Sequence, residues 1–337
     1  MHQSIGGASV IATLPLLATW MLARAATVGC NTAIEDLYRY LNTDQAPFRK
    51  IMVLAGVKTD HSLRLENHIE LIPFESLPPS IWKTSISDSF GKSWENYKPT
   101  AALQQCFRKP RKELHRLPPP GYIEKDEFQD LEDVHLCMTV VGCYAPLWLG
   151  SWIQSEDWVP NLARMAHLPE RLNAGNYPRA IGEQWDGLDI LHRRWCTLDV
   201  RRKRHLRVGL SRLNAALRRT ELTDSAIDLG IALDAVFLSG TPTDRGELGL
   251  TLRLRAAWYL GRDFAERNSL SALFSRLYAL RNKAVHAGVV DASDAQTTLN
   301  EGIFWLSKAI RRIIDEGEPN WSDIILGQPV PPNCVAD

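Results

Sequence analysis

Apolar residues recur at three- and four-residue intervals through the C-terminal part of the chain, a spacing that predicts one helix after another. Leu206, Leu210, Leu213 and Leu217 mark a helix over 200–219. Ile227, Ile231, Leu233, Ala235 and Val236 mark one over 226–238, with Leu222-Thr223-Asp224 as its N-cap. A shorter helix over 188–196 precedes them. After a loop over 239–246 come helices over 248–260, with Gly261 as C-cap, 267–287 and 293–314. The last turns Leu299, Ile303, Leu306, Ile310 and Ile313 to one side. The tail after Glu316 holds several prolines and reads as peripheral.

The period changes in the N-terminal part. Ile34, Leu37 and Leu41 are spaced for a helix over 33–41. Residues 51–57 form a continuous apolar run, as in a buried strand, and 62–74 alternate around Glu66-Asn67 like a hairpin. Residues 75–118 are mixed and lead into a stiff Pro-rich connector over 117–121. A helix over 124–141 begins with acids, and 143–159 carries Trp148, Trp152 and Trp158, which fit strands or an aromatic packing element. The fold class is therefore α+β: a mixed region over 1–185, an all-α bundle over 186–316 and a tail over 317–337.

Composition narrows the functional classes. Apolar content is 45%, and 39 basic residues balance 39 acidic ones, which describes a globular protein without a generic preference for polyanions. Cys30, Cys106, Cys137, Cys143, Cys196 and Cys334 have no C-x-x-C spacing, so neither a zinc site nor a disulfide framework is signalled. His135, Cys137 and Cys143 are the nearest approach to a ligand cluster, but the surrounding Leu136, Met138, Val140 and Val141 read as core. No metal or cofactor is expected. The apolar run over 10–22, followed by Ala23-Arg24-Ala25, imitates a secretion signal. It lacks a basic leader, is broken by Pro15 and falls short of the ~18 residues a bilayer span needs, so a buried or docking helix is expected, in a cytoplasmic protein without membrane contact.

The chemistry centres on Arg281-Asn282-Lys283-Ala284-Val285-His286, near the end of the helix built on Leu270, Leu273, Phe274, Leu277, Leu280 and Ala284 and stopped by Gly288. An arginine, a polar residue, three more residues and a histidine form a pattern similar to the R-N-x-x-x-H motif of HEPN domains. With the blocks over 224–238 and 250–261, the C-terminal third resembles the ApeA-like branch of that family, which is associated with defence against phage. The resemblance implies an all-helical HEPN bundle, a homodimer with a composite site, and metal-independent cleavage of RNA, possibly tRNA, by a defence or toxin effector under an unidentified regulatory partner or phage trigger. It assigns His286 as general acid or base, Arg281 as phosphate stabiliser, Asn282 as an orienting polar group, and Asp234 as the acid that positions Arg281. A non-catalytic HEPN module that binds nucleotide or RNA is the alternative.

Elementary chemistry suits those assignments. RNA carries its own nucleophile, the 2'-hydroxyl, so proton transfer and charge stabilisation suffice; histidine exchanges protons near neutral pH and arginine presents a fixed fork of donors to phosphate. Five helical residues turn the second side chain by about 140° from the first, so Arg281 and His286 converge only at a helix end or across two subunits. Between Arg193 and Arg219 the sole acid is Asp199, among many arginines. Arg201, Arg202, Lys203 and Arg204 in that run, with Lys283, are the candidate RNA contacts, against the plainer reading of a solvated charged face.

Overall fold

The computed structural model describes residues 4–5, 8–9, 14–91, 97–110, 127–160, 164–167, 182–239, 247–290 and 292–326. The connector over 117–121, most of the loop over 239–246 and Cys334 lie outside them. Two N-terminal helices, α1 (Leu14–Val28) and α2 (Cys30–Leu41), precede a six-stranded antiparallel sheet. The strands are β1 (Gln45–Ala55), β2 (Leu63–Arg64), β3 (Ile69–Pro73), β4 (Ala101–Pro110), β5 (Leu147–Ser155) and β6 (Arg164–His167), in the spatial order β2-β3-β4-β1-β5-β6. The chain is thus α+β, with β1 at the centre of the sheet.

The apolar run expected as a strand is the buried half of β1. Its polar first half is also strand, because Gln45 to Leu54 pair with Pro110 to Ala101 of β4. β4 itself was not anticipated, since Gln104 and Gln105 interrupt its apolar positions. Both amides are buried and donate, Gln104 to Glu70 at 2.9 Å and Gln105 to the Asn67 carbonyl at 3.1 Å, which offsets part of the cost of burying them, although Oε1 of Gln104 has no partner among the described residues. The hairpin over 62–74 is present as β2 and β3, with Glu66–His68 forming a short 3-10 turn between them.

Each sheet face builds a core. Ile51, Val53, Ile72, Ala102, Leu149 and Trp152 pack with Ile86 of α3 (Ile81–Phe90), an element missed in the mixed segment. Met52, Leu54, Leu71 and Leu103 on the other face meet α4 (Gln129–Gly142), buried at Leu131 and at every position from Asp133 to Val140. A helix apolar on all sides is one enclosed on all sides. Behind it stand α5 (Leu188–Thr197), α6 (Val200–Arg218), α7 (Leu222–Phe237), α8 (Leu248–Leu260), α9 (Phe264–Ala287) and α10 (Ala292–Glu316). One hydrophobic core runs from the sheet through α4 into these helices, without a break near residue 185.

Several expectations need correction. Glu221, not Leu222 to Asp224, is the N-cap of α7; Asp224 lies in the first turn, where its charge complements the helix dipole. The tail is not peripheral as far as it is described: α11 (Trp321–Leu326) docks Trp321 against Phe237 and Tyr259, beneath the Arg255 guanidinium at 5.1 Å. In α2, Ala33 and Tyr40 are buried and Ile34 faces solvent. Of the N-terminal run, residues 14–22 are helical, and from Leu17 to Leu22 no side chain is buried, Leu22 being 74% exposed. Among the described residues no helix is long and apolar enough to cross a membrane.

His135 on α4 gives the core a pH dependence. Its Nε2–H donates to the Pro146 carbonyl at 2.8 Å, while its buried Nδ1 has no partner among the described residues. Burial lowers its pKa from 6.5 to about 4, since protonation would create a second buried N–H without an acceptor. Between those values the unfolded state holds the extra proton, so stability falls as pH falls, by about 3 kcal/mol for this group. Urea unfolding at pH 7 and pH 4 checks this. The drop is expected to be smaller in His135→Gln, whose amide can still donate to Pro146 and does not titrate.

Candidate functional site

α9 is the motif helix. Asp263 opens it by accepting from the Glu266 amide at 2.8 Å, and Gly288 closes it at φ +69°, a left-handed conformation that glycine adopts without strain. Leu270, Leu273, Phe274, Leu277 and Ala284 bury one face, as their spacing predicts. This places Arg281, half-buried, against α7 with the half-buried Asn282 beside it, and leaves Lys283 and His286 exposed.

Arg281 is held from several directions. Its Nη2 lies 3.6 Å from Oδ2 of Asp234 on α7, its Nη1 donates to Oδ1 of Asn282 at 3.1 Å, and its guanidinium carbon sits 6.0 Å from the centre of the Tyr278 ring. Burial pushes the Asp234 carboxyl up from its ordinary value, and the neighbouring Arg281 charge counteracts it. Side chains of Arg281 and Asp234 remain 31% and 35% exposed, so a phosphate oxygen can still reach the guanidinium. The family resemblance names Asp234 and Asn282 alongside Arg281 and does not name Tyr278.

Gly230 was missed as well. A Cβ there would stand 2.3 Å from Cγ of Arg281 and 3.0 Å from its Cβ, so the arginine stem lies directly across the glycine backbone. The available signal was an isolated glycine in a helix interior, which often marks a close approach. Gly230→Ala is expected to displace Arg281 from Asp234 and cost about 1–3 kcal/mol by overpacking. In an Arg281→Ala background the cost should be smaller; equal losses in urea unfolding would show that this contact is not the constraint.

His286 occupies the last turn of α9. Among the described residues it makes no hydrogen bond or ion pair. α9 stays α-helical through Ala287, so within one chain Arg281 and His286 point about 140° apart. The single chain therefore presents a fixed cation and an open imidazole on different sides of one helix end.

The basic run resolves mostly into ion pairs, some with neighbouring acids and some with acids far along the chain. Arg207 clasps Asp133, Arg212 and Arg219 share Asp228, Arg193 meets Glu66, and Arg194 meets Asp315. Arg202 pairs with Asp199 and approaches Glu318, and Lys203 donates to the Cys196 carbonyl. Arg201 and Arg204 are exposed and meet no acid among the described residues. His135 and Cys137 are core residues, and no cluster of three potential metal ligands occurs among the described residues. Comparison with protein-family models, with curated proteins and with solved structures finds no match for this chain.

Proposed function

We propose that the chain is a HEPN-type endoribonuclease whose active site forms from the α9 ends of two copies. One copy places Arg281 on the scissile phosphate, and the other brings His286 to the reacting hydroxyls. His286 takes the proton of the RNA 2'-hydroxyl as its oxygen attacks phosphorus. The bond from phosphorus to the 5'-oxygen breaks, the protonated His286 returns its proton to that departing oxygen, and the product strand ends in a 2',3'-cyclic phosphate. Arg281 stabilises the charge that develops on the phosphoryl oxygens, a task for which a pre-oriented guanidinium is well suited. Asp234 and Asn282 act through Arg281 and are positioning residues. The role in defence implied by the resemblance belongs to the same proposal.

The observation that carries this reading is the asymmetry of α9: Arg281 is fixed by Asp234 and Asn282 yet half open, while His286 stands free on the final turn. Two-fold contact of such helix ends supplies the convergence that one chain lacks. The same separation within a chain also favours a second reading, a module that binds RNA through Arg281 without cutting it. Incubation of the purified protein with total cellular RNA in EDTA separates the two. Cleavage leaving 2',3'-cyclic ends supports the nuclease, and retention of intact RNA supports the binding module.

A further inference from the structure

Arg253 on α8 is half-buried, and its Nε is buried without an acceptor among the described residues. Among those residues it makes no hydrogen bond, ion pair or ring contact at all. Other arginines along the same seam are engaged. Arg255 donates to the Phe237 carbonyl at 2.7 Å, and Arg267 donates to the Gly261 carbonyl at 3.0 Å and lies over the Trp258 ring at 4.1 Å. A buried donor left unsatisfied destabilises the fold, so Arg253 points to an acceptor that arrives with a ligand.

Helix packing places Arg253 beside the motif. A Cβ at Gly249 would stand 3.0 Å from Cε1 of Tyr278, and one at Gly261 would stand 2.7 Å from Cγ of Arg267, so α8 and α9 run antiparallel with those pairs in register. On that register Arg253 stands opposite Phe274 and Ser275, about 10 Å from the level of Arg281 along the helix axis. Helical side chains lean towards the N-terminus of their own helix. Since the two helices run in opposite directions, Arg253 leans towards Gly249 and Arg281 towards Tyr278, which is one level of the seam. The Arg281 guanidinium already lies 6.0 Å from the centre of the Tyr278 ring. Asp234 balances its charge, whereas Arg253 adds a positive charge that no acid among the described residues balances. Successive phosphates of one RNA strand are the anions that two guanidinium groups so placed can take up.

We propose that Arg253 holds the phosphate next to the one bound by Arg281, so that a single RNA strand crosses the seam of α8 and α9 over Tyr278. This contact rests on the RNA reading of the α9 site and applies whether or not the strand is cut. Full-length His286→Ala protein, which is expected to leave bound RNA intact, is titrated with oligouridylate and oligoadenylate over a salt series, read by fluorescence anisotropy. Adding Arg253→Met is expected to weaken both probes alike, by about 10-fold, and to flatten the slope of log affinity against log salt by about 0.7, the share of one phosphate. Arg253→Lys keeps the charge and should keep the slope. The melting temperature of Arg253→Met should hold or rise, because the change removes a buried N–H without an acceptor among the described residues. Unchanged affinity and slope, with RNA still bound, overturn the Arg253 contact and leave the RNA reading standing. A lower melting temperature with an unchanged slope gives Arg253 a structural role and overturns the contact as well. Binding of neither probe by the His286→Ala parent overturns both.

Discussion

His286→Ala is expected to lower RNA cleavage by about 10² to 10⁴-fold, the contribution typical of a positioned proton-transfer group. The melting temperature should stay that of the parent, since His286 is exposed and makes no bond among the described residues that its removal would break. Arg281→Ala should differ in a diagnostic way. It also abolishes cleavage, but it leaves the half-buried Asp234 carboxylate without its cation, so stability falls as well. Gel assays in EDTA paired with thermal melts of both variants read the contrast. Retained cleavage in His286→Ala would remove the histidine from the mechanism.

The second large effect concerns stability. Asp133, buried between the sheet and the helices, accepts from Arg207 Nε at 2.7 Å and Nη2 at 2.8 Å, from Trp195 Nε1 at 2.8 Å and from Gln129 at 3.2 Å. It ties α4 to both α5 and α6 through one carboxylate. Asp133→Ala removes both of its bonds to Arg207 and the acceptor of the Trp195 indole N–H at this junction and is expected to cost about 3–5 kcal/mol, read as a lower urea midpoint. Adding Arg207→Met should recover part of the loss, because removing both charges of a buried pair costs less than removing its carboxylate alone. A loss below about 1 kcal/mol would mean that the junction is held by apolar packing alone.

The helices of the C-terminal half were legible because each buries one face against the same core. The bounds expected for α8 are those observed, and Gly288 stops α9 where its left-handed φ requires. The sheet was harder to read. β4 buries two glutamines whose partners, Glu70 and the Asn67 carbonyl, lie more than thirty residues away, so its local pattern looks like a loop. α11 was hidden by the prolines around it; what orders it is one tryptophan finding Phe237 and Tyr259.

The arginine-rich helix shows the same limit for charge. Along the sequence α6 looks like an unbalanced basic face, yet Asp133 and Asp228, from elsewhere in the chain, take up Arg207, Arg212 and Arg219. What remains open at Arg201 and Arg204 is far smaller than the run suggests. At α9 the motif was visible, while Tyr278 and Gly230 became meaningful only when α7 was laid beside it.

The most direct test of the composite site is to mix Arg281→Ala with His286→Ala, each inactive alone, under conditions that let subunits exchange. If one copy supplies Arg281 and the other His286, half of the pairs formed at random are mixed and each carries one intact site of two, so about a quarter of the parental cleavage should return. Recovery near that level in EDTA is the result predicted by this account. No recovery, with mixed pairs demonstrated by mass spectrometry, would contradict it.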